Sequence, residues 1–279
     1  MTTTLRPTGP LQQEAAGVRS RRYEVCDNSR PVGTIEIATF PSLGPAAGTV
    51  RSLRIDEADR RRGRGTVAVL AAEEVLRGWG CDQVRVSVPP EAAGAAALAG
   101  VLGYTERSRN MVKTLPALPP PLPDGTRARP MNDAEFALWW EEGLRSYARS
   151  WSEQGLTPAE ALAKAEADRA AGLPAGRATA GVRLEVLEHH GVPVGLLYLG
   201  LREALPGETG AYVYDVEVPE EHRGRGHGRS LLLLAERLAL ETGARLLGLH
   251  VFADNAPALG LYTSLGHRTT AIHFSKRLL

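Results

Sequence analysis

Along the second half of the chain, apolar and polar positions follow two rhythms in turn. The segments VRLEVLE and PVGLLYLGL read as two strands, and the His190-Gly191 pair between them predicts a hairpin turn. AYVYDVEV predicts a third strand with strict period-two alternation. From about Gly228 to Thr242 the pattern becomes that of a helix, which Gly243 stops. LLGLHVF then reads as a strand, APALGLYTSL as a helix and HRTTAIHFSKRL as closing strands. Antiparallel strands followed by a strand–helix–strand crossover, then helix and strands, predict an α+β fold on a mixed, mostly antiparallel sheet flanked by helices.

Upstream, residues 132–174 predict two helices. Asn132 with Glu135, and Thr157 with Glu160, have the spacing of capping boxes, and Pro158 suits a first helical position. Gly172 and Pro174 end the second helix. Trp139, Trp140, Leu144 and Tyr147 share one side of the first helix, either as a stripe packed on the sheet or as part of the wall of an acceptor pocket.

The chain also contains itself twice. An offset of 163 places Arg60 on Arg223, Arg62 on Arg225, Gly63 on Gly226, Gly65 on Gly228, Glu73 on Glu236 and Gly80 on Gly243. It continues without a gap to Val88 on Val251, Leu102-Gly103 on Leu265-Gly266 and Lys113 on Lys276. Pro31-Val32-Gly33 matches Pro193-Val194-Gly195 at an offset of 162. Register kept through strands, loops and helices alike marks a duplication. Between the copies, TLPALPPPLPDG is too rich in proline for helix or sheet. The expected organisation is an N-terminal domain over 1–118, a proline-rich linker over 119–125 and a C-terminal domain over 126–279. The helical stretch 132–174 has no counterpart in the first copy.

Composition narrows the function classes. A net charge of +1, from 33 basic and 32 acidic residues, argues against nucleic acid as a partner. There is no run of eighteen apolar residues and no apolar region after a basic start, so a cytoplasmic protein without a membrane partner is expected. Cys26 and Cys81 form no CxxC pair, and no metal is expected. The arginines, however, cluster in two loops, around Arg60 and around Arg223.

The second of these loops, Arg223-Gly224-Arg225-Gly226-His227-Gly228-Arg229, joins a strand to a helix. Free N–H groups at a helix start, the helix dipole and glycines that let a ligand approach make it a phosphate cradle. It is not the GxxxxGK[ST] loop of nucleotide triphosphatases, and GxGxxG/A is met weakly by Gly63-Arg64-Gly65 and fails in the second copy. Both copies satisfy [QR]-x-x-G-x-[GA].

With VEVPEEHRGRGHGRSLLLLAE and VFADNAPALGLYTSLGH in that order, the second copy resembles the GNAT superfamily of acyl-CoA-dependent N-acyltransferases over about residues 125–279. The resemblance implies acetyl-CoA as co-substrate. Its diphosphate would lie on the loop (Arg223, Gly224, Arg225, Gly226, His227, Gly228, Arg229) and its pantetheine arm between the strands Tyr212–Val218 and Leu246–Val251. Backbone near Val216 and Val218 would polarise the acetyl carbonyl, while Asn255 and Ala258 would border the arm. Asn255 is equally suited to cap its helix. Tyr262 is the implied general acid. One branch of the family has a glutamate where Tyr212 stands, so the base stays open among Asp215, Glu217 and His250, or a water relay.

In the first copy Tyr262 falls on Ala99 and Asn255 on Ala92, which predicts a catalytically idle unit. That unit could still hold coenzyme through Arg60, Gly63 and Gly65. The expected activity is acetyl transfer to the primary amine of a small molecule by a monomer or homodimer. The alternative is a non-catalytic acyl-CoA sensor or scaffold.

Overall fold

A computed structural model describes residues 3–41, 44, 46–119, 121–153 and 157–278. Two compact units emerge: residues 1–108 with 271–279, and residues 109–270. In unit 1, β1 (Thr3–Pro7) and the short β2 (Gln12–Gln13) both pair with β3 (Arg19–Asp27). β3, β4 (Arg30–Thr39) and β5 (Ala47–Ile55) form an antiparallel meander. Helix α1 (Arg64–Gly78) then crosses over to β6 (Gln83–Val88), parallel to β5, and α2 (Ala93–Val101) leads to β7 (Thr105–Thr114).

Unit 2 adds β8 (Thr126–Pro130) and the helix pair α3 (Asp133–Glu153) and α4 (Pro158–Gly172) before repeating the plan. The meander is β9 (Arg183–His189), β10 (Val192–Leu205) and β11 (Glu208–Glu217), with β8 paired to the outer side of β9. Helix α5 (His227–Glu241) crosses to β12 (Leu246–Phe252), parallel to β11, and α6 (Ala256–Ser264) and β13 (Arg268–Arg277) follow.

Local chemistry explains the element ends. His190 and Gly191 both take left-handed φ, 51° and 84°, as the two central residues of the tightest hairpin turn must. Both capping boxes form: Asn132 Oδ1 accepts from the Glu135 amide at 2.9 Å while Glu135 accepts from the Asn132 amide at 2.8 Å. Thr157 and Glu160 do the same. Gly243, with φ 80°, ends α5.

The division between units differs from the expected boundary at 119–125, of which Pro120 lies outside the described residues. Residues 272–277 of β13 pair antiparallel with β6 of unit 1, Ile272 opposite Val88 and Phe274 opposite Val86. Residues 109–114 of β7 belong to unit 2, beside β12. Each sequence copy therefore ends on a strand that completes the other unit. Met111 and Leu115 pack in the core of unit 2, and Phe274 in that of unit 1 with Ile272 against it. Duplication makes β6 and β12 offer equivalent edges, so the local sequence does not say which edge a closing strand joins.

Each exchanged strand carries an inward lysine. Lys113 Nζ donates to Glu236 Oε1 at 2.5 Å in unit 2, and Lys276 Nζ to Glu73 Oε2 at 2.7 Å in unit 1. Both glutamates are buried on the crossover helices. The repeat thus preserves an ion pair whose two members come from different copies.

Candidate active site

β11 carries a bulge at Tyr214. Leu199 pairs with Val213 and Tyr198 with Asp215, so β11 has one residue more than β10 over this step. The strict alternation expected for AYVYDVEV is interrupted at that step, and ahead of it Ala211, Tyr212 and Val213 are buried on both faces in succession. Beyond the bulge Asp215 and Glu217 share a face. Pairing between β11 and β12 runs only from Ala211–Leu247 to Val213–Leu249, although both strands continue. Past the bulge the parallel strands part, and backbone at Val216 and Val218 is left without β12 as a partner. Unit 1 has the same bulge at Arg51, the position that the offset of 163 puts on Tyr214.

The loop ahead of α5 is shaped by its own residues. Gly224 and Gly226 adopt φ of 73° and 85°, and Gly226 occupies the N-cap without any side-chain cap. The first amides of α5 accordingly lack intrahelical acceptors. Arg223 Nε donates to the Val218 carbonyl at 3.0 Å, which closes the loop on itself, as Arg60 Nε does to the Ile55 carbonyl at 2.8 Å in unit 1. Arg225 and Arg229 are exposed, and Arg229 also bonds Ser264 Oγ at 2.7 Å. His227 points inward, its ring 5.3 Å from that of His189 and 6.4 Å from that of His222. Burial first, then those rings and Arg225, lower its pKa. A buried side chain leaves His227 only its backbone amide to offer an anion.

On α6, Asn255 Oδ1 accepts from the Ala258 amide at 3.1 Å, so the capping role is realised, and Ala258 packs on the core. Tyr262 is 6% exposed. Burial, and after it the charge of Asp215, raises its phenol above the ordinary range.

The helical insert builds the opposite wall. Trp139 Nε1 donates to Asp215 Oδ2 at 2.8 Å. Its ring stands edge-on to Tyr198 at 5.6 Å, Tyr198 stacks on Tyr214 at 4.8 Å, and Tyr214 meets Tyr212 at 5.0 Å. Arg169 of α4 lies over Trp139 at 4.3 Å and Trp140 at 5.0 Å. Trp139 packs in the hydrophobic cluster with Met131, Leu173, Leu184 and Val186, and its indole N–H holds the Asp215 carboxylate. Tyr147 is exposed and contacts Trp151 instead. The Trp139–Asp215 bond escaped sequence reasoning because its partners lie 76 residues apart and neither belongs to a shared motif.

Of the three base candidates, the structure brings Asp215 and Glu217 together. Desolvation, then Asp215 and Glu142, push the Glu217 pKa up, with Arg223 acting against them. The His250 ring instead has Nδ1 3.0 Å from Asn110 Oδ1 of β7.

Unit 1 keeps the loop geometry but has alanines at the positions of Asn255 and Tyr262. Gly63 caps α1 with φ 75°, and the next residue, Arg64, is buried against Asp27 and Asp59 just as His227 is buried in unit 2. Ala92 at the start of α2 supplies no side-chain cap, and Ala99 is a buried methyl where unit 2 has a phenol.

Parted strands beyond a bulge and a glycine-capped helix start, present in both units, define an acyl-coenzyme A transferase fold in duplicate, with a tyrosine on the following helix in unit 2 alone. The model of the acetyltransferase (GNAT) family matches residues 4–104 and 139–267, and the chain belongs to that family of acetyl-CoA-dependent N-acetyltransferases. A mycothiol acetyltransferase of Saccharomonospora viridis is 30% identical over 94% of this chain and 85% of its own length. One from Thermomonospora curvata is 30% identical over 85% of this chain and 77% of its own. These relatives agree with the resemblance to mycothiol synthase that the unequal copies suggest. A GCN5-related N-acetyltransferase from Sphaerobacter thermophilus has a similar fold, with a TM-score of 0.55 over 92% of this chain and 80% of its own, at 19% identity. No helix among the described residues is long and apolar enough to cross a membrane.

Proposed function

We propose that unit 2 transfers an acetyl group from acetyl-CoA to the primary amine of a small molecule by direct attack. The observation that carries this reading is that β11 and β12 part beyond the bulge at Tyr214, and that the loop following β11 enters α5 at Gly226 without a side-chain cap. The loop residues fit a diphosphate: amides without partners at the start of α5, and exposed Arg225 and Arg229 at hand for charge-assisted bonds. The gap between β11 and β12 suits the pantetheine arm, with backbone near Val218 polarising the thioester carbonyl.

Asp215 or Glu217 takes the proton of the attacking amine, directly or through water. Trp139 keeps Asp215 oriented. Collapse of the adduct expels the thiolate, which takes its proton from Tyr262. A phenol whose pKa is raised stays protonated through the neutral range and is available as an acid. The relatives' names favour a small acceptor over a protein. Residues 1–118 supply no acid of their own and do not turn over.

Tyr262→Phe tests the assignment. Binding of acetyl-CoA stays within twofold, and kcat falls at least tenfold, about 1.4 kcal/mol of transition-state stabilisation. Unchanged turnover removes Tyr262 from the mechanism.

A further inference from the structure

Three histidines of unit 2 meet where the loop enters α5. The ring of buried His227, the first residue of that helix, is 5.3 Å from the ring of His189 at the end of β9. On its other side it is 6.4 Å from the ring of His222, in the turn Glu220–His222. The offset of 163 puts His227 on Arg64 and His222 on Asp59, and the offset of 162 that joins the hairpins puts His189 on Asp27. Strand pairing agrees, since Asp27 stands opposite Arg30 at the end of its hairpin and His189 opposite Val192.

In unit 1 the same three positions form a buried ion cluster. Arg64 donates through Nη1 to Asp59 Oδ1 at 2.5 Å and through Nε to Asp27 Oδ2 at 3.2 Å. Arg30 adds Nη2 to Asp59 Oδ1 at 2.7 Å, and its hydrogen bonds hold the Asp59 carboxyl below the usual carboxylate range. The start of α1 is thereby tied to the hairpin of β3 and β4 by arginine and aspartate, whose ordinary pKa values lie far from neutrality on either side. Unit 2 makes the equivalent tie, from α5 to the hairpin of β9 and β10, out of imidazoles alone. Imidazole is the side chain whose ordinary pKa lies nearest neutrality.

We propose that His189, His222 and His227 form a proton-operated latch, which holds the Arg223–Gly228 loop and the start of α5 on the hairpin while its rings are neutral and releases them when the rings are charged. Both nitrogens of an imidazolium are donors, and like charges at this spacing repel, so rings that pack as neutral groups part once they are protonated. No carboxylate is bonded to any of the three among the described residues. His189 Nδ1 faces Thr126 Oγ1 of β8 at 3.3 Å, and its ring meets that of His190 at 4.3 Å. Glu188 of β9 is taken by Arg127 and Arg129, Glu220 and Glu221 are exposed, and Arg225 is a further cation. Burial first, then His189, His222 and Arg225, hold the His227 pKa below its ordinary 6.5. A ring that is neutral in the closed loop and protonates near 6.5 in the open one favours opening as pH falls below that value. One such ring makes opening about tenfold easier at about pH 5.5. The latch is a property of the loop, and only its use, to free the coenzyme cradle in acid, rests on the coenzyme reading.

Amide hydrogen exchange of the full chain at about pH 7.5 and about pH 5.5, with each rate divided by the intrinsic rate at that pH, tests the latch, and the loop of unit 1 serves as an internal control. Protection of residues 223–231 is expected to fall about tenfold between the two, while that of residues 60–68 changes less than about twofold. Installing the cluster of unit 1, with His189→Asp, His222→Asp and His227→Arg together, abolishes the fall. Should that variant not fold, His227→Gln removes the buried titrating ring alone and leaves a fall of about twofold or less. Acetyl-CoA added to the wild type at the lower pH restores protection, because a diphosphate on the α5 amides holds the loop closed. An equal change in the two loops, or a fall that persists in the folded variants, overturns the latch and leaves the proposed function intact. Acetyl-CoA without effect on residues 223–231 at either pH overturns the coenzyme reading of the loop and leaves the latch standing.

Discussion

The offset of 163 puts Tyr104 on His267, and the two side chains meet equivalent carboxylates differently. Tyr104 Oη donates to Glu73 Oε1 at 2.9 Å, so Glu73, also bonded by Lys276, is satisfied on both oxygens. In unit 2 Lys113 satisfies Glu236 Oε1, but Glu236 Oε2 and both ring nitrogens of His267 are buried without a hydrogen-bond partner among the described residues. An imidazole is shorter than a phenol and does not reach. Burial, then Lys113, lowers the His267 pKa to about 4. His267→Tyr restores the bond seen in unit 1 and raises stability by about 1–2 kcal/mol, read from the denaturation midpoint. The pH dependence follows from linkage. With a folded pKa of about 4 and an unfolded value near 6.5, the unfolded chain binds the proton first as pH falls. Wild type therefore loses stability between about pH 6.5 and 4, and His267→Tyr loses less over that window. An identical slope in both proteins would show that His267 is not buried as a neutral ring.

At the scale of elements, the site depends on how closely β10 approaches β11. A Cβ on Gly195 would sit 2.7 Å from the Glu217 carbonyl oxygen and 2.8 Å from Leu231 Cδ1, and one on Gly33 would sit 2.1 Å from the Arg54 carbonyl oxygen. Both glycines are therefore held by close approach to backbone, in line with their shared place in the repeat. Gly195→Ala is expected to shift β11 at Glu217 and carry Asp215 and Val218 with it. The predicted result is a fall in kcat/KM of tenfold or more with the circular dichroism of the native fold retained, since a small misplacement of reacting groups costs rate steeply. Unaltered kinetics would mean that the strand tolerates the shift. The elements themselves were largely legible in the sequence. Capping boxes, the His190-Gly191 turn, the end of α5 at Gly243 and the cap at Asn255 each depend on residues within a few positions of one another. The bulge at Tyr214 was not legible: AYVYDVEV alternates as a regular strand would, and only pairing with β10 shows that one residue is extra.

For the molecule as a whole, the exchange of closing strands makes the two sequence halves interdependent. β6 in unit 1 is paired by residues that come last in the chain, and Phe274 sits in its core. A fragment ending at residue 118 should therefore leave the β6 edge open and lack Lys276, the partner of buried Glu73. An unpaired buried charge and an open strand edge both favour aggregation or unfolding. The expected outcome is a fragment that melts well below the full chain and is stabilised by adding a peptide of residues 268–279. A fragment as stable alone as with the peptide would show that the closing strand is dispensable.

By itself the sequence determined the duplication, the glycine-rich loop ahead of each crossover helix, the caps and turns, and the absence of counterparts of Tyr262 and Asn255 from the first copy. These are properties of residue identity at short range or of register along the chain. Tertiary structure alone decided which edge each closing strand joins, where the alternation of β11 breaks, and that Trp139 rather than a motif residue grips Asp215. Duplicated edges expose interchangeable hydrogen-bonding groups, and a side-chain partner 76 residues away leaves no periodic trace, so each of these choices is made only by the packing of distant segments.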